Sequence, residues 1–165
     1  MTPTPEDEDR IFMAQALELA RTAGAAGETP VGAVVTHNGI VVGAGHNRSI
    51  ADHDPSAHAE MLALRAAGLR LGNYRLPGAT LYATLEPCPM CVGALIHARV
   101  ARVVFGAHDP KTGALGGALN LAAHESHNHR FEVLGGVLAE AAAELLRAFF
   151  RERRRNARPV GGARP

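Results

Sequence analysis

Apolar and polar positions along the chain recur with two periods, and the change between them separates predicted helices from predicted strands. A period of about 3.6 residues predicts a helix over 5–24. The side chains of this helix that should face the core are Ile11, Met13, Ala16, Leu17 and Ala20. Two β-rich runs follow at 31–36 and 40–44. They are joined by His37-Asn38-Gly39, a sequence typical of a tight hairpin turn.

Helices and strands then alternate. The remaining predicted elements are a helix from Asp54-Pro55-Ser56 to about Gly68, a strand at 80–85, a helix at 89–98, a strand at 100–106, a strand at 131–135 and a helix at 138–155. The stretch 107–129 shows the least regular pattern. Alternation of this kind is typical of α/β proteins. We therefore predict a three-layer α/β/α sandwich, in which helices cover both faces of a mixed sheet of about five strands.

Length and composition favour one domain with a single core, since the chain has 165 residues and 47% of them are apolar. We expect the core to occupy about 5–155 and 156–165 to form a frayed tail. Seventeen basic and sixteen acidic residues leave a net charge near +1, but acids cluster at 6–9 and arginines in the last helix. No secretory or membrane-spanning segment is recognisable, which with the unpaired cysteines indicates a cytoplasmic protein.

The two cysteines, Cys88 and Cys91, lie three residues apart in Pro-Cys-Pro-Met-Cys, at the predicted start of a helix. Such a pair also fits a redox-active dithiol or half of a structural zinc site. A structural site usually has a second pair of ligands, and a thioredoxin-like pair would follow the first strand. Neither alternative explains the upstream His58-Ala59-Glu60.

Together these residues read His-x-Glu followed by Pro-Cys-x-x-Cys, the known signature of the zinc nucleobase deaminases. His58, Cys88 and Cys91 would supply three ligands to one zinc ion, leaving its fourth position open for water, as in catalytic sites. Zinc lowers the pKa of such a water to about 7. Glu60 would carry the proton from the water to the substrate. The predicted reaction is hydrolytic deamination.

Further segments of the sequence indicate which family of zinc deaminases the chain resembles. They are 30–35, 46–48, 54–60, 73–76, 79–97, 103–107, 109–113, 128–130 and 149–151. Over about 8–155 the chain resembles the bacterial tRNA-specific adenosine deaminases, which belong to the cytidine deaminase-like superfamily. The resemblance implies one zinc ion per subunit, a homodimer, and conversion of adenosine to inosine at the wobble position of a tRNA anticodon. The expected substrate is the anticodon stem-loop of an arginine tRNA with an ACG anticodon.

The resemblance also implies roles for single residues. Asn47 would hydrogen-bond the flipped base, and Asp109 would contact a neighbouring ribose hydroxyl, which would favour RNA over DNA. Phe150 would pack against a splayed nucleotide. The RNA backbone would be held by Lys111, Asn128 and Arg154, with Arg75 as a weaker candidate.

Other interpretations stay open. A deaminase of a free base such as guanine or cytosine would use the same zinc chemistry, and a non-catalytic zinc module could share the fold. The arginine-rich last helix argues against the first, and Glu60 against the second. His124, His127 and His129 could suggest a second metal, although exposed loop histidines are the simpler interpretation. His108 lies where relatives vary, so its role is open.

Overall fold

A mixed sheet of five strands forms the centre of the protein. The structure is a computed structural model that describes residues 1–157. Its strands are β1 (Gly32–His37), β2 (Ile40–His46), β3 (Thr80–Leu85), β4 (Arg102–Ala107) and β5 (Glu132–Gly135). They lie in the order β2-β1-β3-β4-β5, where β1 is antiparallel to β2 and β3, and β3, β4 and β5 are parallel. The prediction of a mixed five-stranded sheet is confirmed.

Helices cover both faces of this sheet. They are α1 (Pro5–Ala25), α2 (Ala59–Leu71), α3 (Pro89–His97) and α4 (Ala139–Ala157), with a short 3₁₀ turn at Leu121–Ala123. Helices α1 and α4 contact each other and one face, whereas α2 contacts β1 and β2 from the other face and also contacts α3. The three-layer α/β/α arrangement is therefore as predicted.

Successive residues of the central strands point to opposite layers of the core. Ala33 and Val35 of β1 pack in the cluster that contains α2 and α3, while Val34 packs against α1. Strands β3 and β4 repeat this alternation, with Tyr82 and Val104 on the α1 side. Because both faces are covered, these strands are apolar at nearly every position, as in buried parallel sheets.

Local backbone conformation explains two boundaries. Asn38 and Gly39 both have positive φ (52° and 72°), the conformation that a two-residue hairpin turn requires. The predicted end of α2 at Gly68 is wrong, because the helix continues to Leu71. It ends at Gly72, whose φ of 68° is left-handed and suits glycine at a helix C-terminus. Gly68 instead remains inside the helix.

One predicted core residue of α1 is wrong. Ile11 is 49% exposed, whereas Met13, Ala16, Leu17 and Ala20 are buried as expected. The buried face of a helix repeats every three to four residues. Counting back four residues from Met13 leads to Asp9, which occupies the buried face in place of an apolar residue.

Asp9 joins the first helix to the sheet through a buried ion pair. Its two carboxylate oxygens accept hydrogen bonds from Nη1 and Nη2 of Arg102, at 2.6 and 2.8 Å, and Oδ1 also accepts one from Tyr82 at 2.9 Å. Burial opposes ionisation of Asp9, but the bonds from Arg102 and Tyr82 outweigh it and lower the pKa of the carboxyl group. Such charge-assisted, two-pronged pairs are among the stronger polar contacts in proteins.

The C-terminal helix extends beyond its predicted end. Asn156 and Ala157, assigned to a frayed tail from the sequence, are the last residues of α4. The rest of the predicted tail, 158–165, lies outside the described residues. No helix within 1–157 combines the length and apolar character needed to cross a membrane.

We predict that Asp9→Asn lowers the free energy of unfolding by about 1.5–3 kcal/mol at neutral pH, because it weakens hydrogen bonds to a charged group. A lowered native pKa stabilises the fold above the unfolded pKa of about 3.9, and this stabilisation is lost as the pH falls through the native value. The difference between the variant and wild type, measured by urea unfolding, should therefore shrink in acid. Glu132→Gln is the control, since Glu132 faces the same arginine but is largely exposed. An equal loss in both variants would refute the role of Asp9.

Candidate active site

The three candidate ligands lie where two helices begin. His58 is the N-cap residue of α2 and Cys88 is the N-cap residue of α3, both with extended backbone. Cys91 lies in the first turn of α3. Helix N-termini favour negative charge because their free N–H groups point outward. This placement, anticipated from the sequence for the two cysteines, stabilises thiolates.

The distances between these side chains fit a zinc ion. The two Sγ atoms are 3.7 Å apart, and His58 Nδ1 lies 3.5 Å from Cys88 Sγ and 3.6 Å from Cys91 Sγ. Bonds of about 2.3 Å to sulfur and about 2.0 Å to nitrogen at tetrahedral angles require about 3.8 Å between sulfurs and about 3.5 Å between sulfur and nitrogen. Within 1–157, no other group of three such side chains could hold a metal.

Protons are shared unequally among the three ligands. Hydrogen bonding with Cys91 and His58 lowers the pKa of Cys88 to about 4. The neighbouring Cys88 sulfur and burial raise the pKa of Cys91, and the hydrogen bond with Cys88 raises the pKa of His58. The thiolate form is therefore favoured at Cys88, and zinc competes with protons for Cys91 and His58.

Glu60 is buried beside the ligands. It is only 4% exposed, and Cys91 Sγ donates to its Oε2 across 3.4 Å. Burial raises the pKa of Glu60, because desolvation penalises the carboxylate more than the neutral acid. Residues two apart do not share a helix face. His58 and Glu60 converge nevertheless, because His58 precedes the helix and its backbone is extended.

Asn47 is fixed against the start of α2. Its Oδ1 accepts a hydrogen bond from the backbone N–H of Ala59 at 2.8 Å, between the ligand His58 and the buried Glu60. This bond also fixes the orientation of the amide, because only the oxygen can accept it. Nδ2 makes no hydrogen bond within 1–157 and can donate to another molecule.

Asp109 shapes the turn in which it lies. Its Oδ1 accepts from the backbone N–H groups of Lys111 and Thr112, and its Oδ2 from the Thr112 hydroxyl. Burial is outweighed by these bonds, so the pKa of Asp109 is lowered. The carboxylate therefore caps a loop, and its remaining lone pairs are available to a ligand. The side chain of Lys111 is exposed.

Asn128 lies at the far end of α3 from the cysteines. Its Oδ1 accepts from Arg99, which follows that helix, at 3.2 Å. A helix of nine residues is about 13 Å long. Asn128 is therefore not brought to the three ligands within one chain.

Phe150 and Arg154 lie one turn apart on α4. They line a shallow groove of about 300 Å³ with Leu146, and Phe150 is 42% exposed. Neighbouring Phe149 is half-buried, and the Arg153 guanidinium lies 5.2 Å from the centre of its ring. Arg75 is also exposed, stacked on Tyr74. The structure gives no contact between these side chains and the zinc ligands.

The loop histidines do not assemble a second metal site in the described part of the chain. His124 bonds Ser126, and His129 bonds the carbonyl oxygen of Val100. The rings of His124 and His127 have centres 6.1 Å apart. His108 packs edge-on against Phe105, with its Nδ1 3.8 Å from a carboxylate oxygen of Glu86.

Comparison with known proteins identifies the family. Residues 6–107 match the family model of the cytidine and deoxycytidylate deaminase zinc-binding region. A tRNA-specific adenosine deaminase of Bacillus subtilis (strain 168) is 48% identical over 148 residues, which cover 90% of this chain and 92% of that protein. The chain belongs to the tRNA-specific adenosine deaminases. This deaminase is therefore a zinc-dependent enzyme, as the sequence predicted.

Two solved structures resemble the deaminase in fold. One comes from studies of A-to-I editing by tRNA:A34 deaminases at the wobble position of transfer RNA; it is 42% identical, has a TM-score of 0.81, and the match covers 82% of this chain and 99% of that one. The other is a guanine deaminase from Nitrosomonas europaea, 31% identical with a TM-score of 0.73, where the match covers 90% and 86%.

Sequence reasoning missed the buried carboxylates of the deaminase. Glu28 accepts hydrogen bonds from the backbone of Ile50 and Ala51, and Glu86 accepts three from the loop after β4. A signal for Glu86 existed, because an acid directly after a buried strand and before a zinc ligand is unusual. Gly113 and Gly117 mark the place where the backbone passes close to it.

We predict that the deaminase binds one zinc ion per chain and binds it more weakly as the pH falls. The raised pKa values of His58 and Cys91 mean that both retain protons to higher pH, and zinc must compete with those protons. Competition with a chromophoric chelator between about pH 6 and about pH 8 measures this dependence. Cys91→Ser should lose the metal, whereas His124→Ala should keep it. Two zinc ions per chain, or loss in the His124 variant, would contradict the single-site assignment.

Proposed function

We propose that the protein hydrolytically deaminates adenosine to inosine at the wobble position of a tRNA anticodon. The observation that carries the proposal is the convergence of His58, Cys88 and Cys91 at zinc-ligand distances, with the Glu60 carboxyl group buried beside them. Membership of the tRNA-specific adenosine deaminases supports the choice of substrate. The cytoplasm, where unpaired thiols stay reduced, is the proposed location.

In this proposal His58, Cys88 and Cys91 hold zinc through Nδ1 and the two sulfurs. Bound zinc would lower the pKa of a coordinated water to about 7 and so supply a nucleophile at neutral pH. Glu60 accepts the proton of the attacking water. It returns this proton to a ring nitrogen of adenine as the water oxygen bonds to the carbon that bears the amino group. The second proton of the water then passes through Glu60 to the amino group, the carbon–nitrogen bond breaks, and ammonia leaves as inosine forms. A buried carboxyl group with a raised pKa suits this exchange, because it can act as acid and as base.

Asn47 orients the base. Since its Oδ1 is engaged by Ala59, the side chain presents Nδ2 as a donor. A donor in that position pairs with an acceptor nitrogen of a purine ring. The base must first leave its stack, which costs a few kcal/mol and least in an unpaired loop.

The C-terminal helix would meet the phosphates of the anticodon stem-loop. Arg147 and Arg151 are engaged by Glu140 and Glu144 on the same helix. Arg153, Arg154 and Arg155 form no ion pair within 1–157, so their charge is available to phosphate. Phe150, exposed beside Arg154, offers an apolar face for a splayed nucleotide.

The proposed active unit is a homodimer. An apolar groove of about 750 Å³ runs between α2 and α3, lined by residues that include the exposed Leu69 and Tyr74. A second copy of the chain would cover it. Asn128 lies at the end of α3 that borders this groove, about 13 Å along the helix from its own cysteines. Contacts from Asn128 to RNA would therefore lie away from the base bound by the same subunit, while Asp109 and Lys111 would contact the nucleotides nearer to it.

The competing function is deamination of a free base. The likeness to a guanine deaminase is the observation that favours it. The zinc site and Glu60 would serve either substrate. The exposed arginines of α4 favour RNA, since a free base has no phosphate to bind.

We expect the zinc-loaded protein to convert the anticodon stem-loop of an arginine tRNA with an ACG anticodon to the inosine form. Mass spectrometry of the RNA measures the reaction. The same stem-loop with guanosine at the wobble position is the negative control, and guanine, cytosine and adenosine are assayed in parallel. Turnover of a free base without turnover of the RNA would refute the proposed substrate.

Glu60→Gln should lower the rate of this reaction by about 10²- to 10⁴-fold while one zinc ion remains bound, because the amide cannot carry a proton. Glu18→Gln is a matched control, since Glu18 is an exposed helical carboxylate far from the ligands. Loss of zinc in parallel with activity would contradict the role of Glu60 as a proton carrier.

Arg154→Gln should weaken binding of the stem-loop and reduce the slope of log K against log salt by about one, because one phosphate contact is lost. Arg147→Gln makes the same charge change on the same helix, but its guanidinium is already paired with two glutamates. Its effect should be smaller. Fluorescence anisotropy at several salt concentrations measures both slopes, and equal changes would exclude a local contact by Arg154.

A further inference from the structure

Glu86 is a buried carboxylate at the junction of β3 and the zinc ligands. It is 2% exposed and lies two residues before Cys88. Its Oε1 accepts a hydrogen bond from the backbone N–H of Asp109 at 3.1 Å, and its Oε2 accepts from Leu115 at 3.0 Å and Gly117 at 2.9 Å. All three donors belong to one segment, 109–117, which follows β4.

The segment is shaped to fit this carboxylate. A Cβ atom at Gly113 or Gly117 would collide with the Glu86 side chain. The neighbouring backbone adds two more bonds: the Glu86 N–H donates to the Ala107 carbonyl, and the Ala114 N–H donates to the Pro87 carbonyl, both at 2.9 Å. The segment is thus held by the two residues that lead directly into Cys88.

Backbone N–H groups hydrogen-bond the Glu86 carboxylate. No cationic side chain within 1–157 is in direct contact with it. The nearest cationic candidate within 1–157 is His108, whose Nδ1 is 3.8 Å from Oε1 and whose ring is mostly exposed. Burying a carboxylate is unfavourable unless its lone pairs are satisfied. Here they are satisfied only while 109–117 stays in place, so the carboxylate and the segment determine each other's position.

We propose that Glu86 is a positioning residue for RNA binding: by anchoring 109–117 to the strand end that carries Cys88, it sets the distance between the Asp109–Lys111 turn and the zinc site. This inference rests on the proposed function, because it assigns RNA contacts to that turn. Glu86 touches neither the substrate nor a zinc ligand.

The expected kinetic effect follows from how the turn is built. Asp109 caps its own turn through Lys111 and Thr112, so the turn stays folded without Glu86 and moves as a unit. Glu60 and the ligands lie at the starts of α2 and α3. The segment meets these helices through the Ala114–Pro87 hydrogen bond and through Ala114 and Leu115, which share a core cluster with α3. These contacts do not involve the Glu86 side chain. Loss of Glu86 should therefore raise KM and leave kcat nearly unchanged.

The test is Glu86→Gln in the full-length, zinc-loaded protein, assayed on the anticodon stem-loop. Glutamine keeps the shape but turns an NH₂ group toward backbone N–H donors, and KM should rise about tenfold or more, the size expected from losing a hydrogen bond to a charged group. Gly117→Ala keeps the carboxylate but places a Cβ atom against the Asp109 carbonyl oxygen and the Glu86 side chain, so it should displace the segment and give the same change. Asp9→Asn is the control, because it removes another buried carboxylate, remote from this segment, and should leave KM unchanged.

Hydrogen exchange without RNA decides the anchoring independently of the substrate. In Glu86→Gln and Gly117→Ala, peptides that cover 108–118 should exchange faster than in wild type, while peptides of α3 and the zinc content stay the same. Unchanged exchange in both variants would overturn the anchoring. A fall in kcat with lost zinc, or an equal rise of KM in Asp9→Asn, would overturn the positioning role. A wild-type protein inactive on the stem-loop refutes the proposed function, and faster exchange would still identify the anchor.

Discussion

The N-termini of α2 and α3 lie beside each other, and the metal site depends on this arrangement. His58 and Cys88 occupy the N-cap positions, where the backbone is extended and free N–H groups point toward the ligands. This geometry brings donors 30 and 33 residues apart to within 3.6 Å of one another. It also allows Glu60 to reach the same point from inside the first turn of α2. The sheet order, in which β1 lies between β2 and β3, places both helices on one face.

Buried carboxylates organise the loops around this point. Glu28 holds the backbone of Ile50 and Ala51 in the loop before α2, and Glu86 holds 109–117 in the loop after β4. Asp9 does the same for a helix, since it ties α1 to Arg102. In each case an acid is placed where several N–H donors meet. The loops beside the site therefore owe their shape to side-chain acceptors as well as to apolar packing.

Much of the fold and the metal site followed from local patterns. Continuous apolar runs predict the central strands, and the spacing of His58, Glu60, Cys88 and Cys91 predicts a zinc site with a proton carrier. Other features required three dimensions. Ile11 was misplaced because an acid, Asp9, takes a position on the buried face of α1, and nothing local identifies its partner Arg102. The apolar pattern predicts a helix end at Gly68, although the left-handed conformation occurs at Gly72. The bonds of Glu86 join residues 23 to 31 positions apart, beyond any periodicity.

In α4, residues 139–151 carry two glutamates paired with two arginines and are neutral, whereas 152–157 carry three arginines and one glutamate. The opening turn of α1 is acidic. A protein with a net charge near +1 is in this way electrically polarised. Its field would turn the cationic end toward a polyanion during the diffusional encounter and so raise the association rate for productive orientations. Residues 1–151 carry 12 basic and 15 acidic side chains, so they give a long nucleic acid little to bind. Localised charge can therefore speed the binding of a small folded RNA without causing non-specific binding to other nucleic acids.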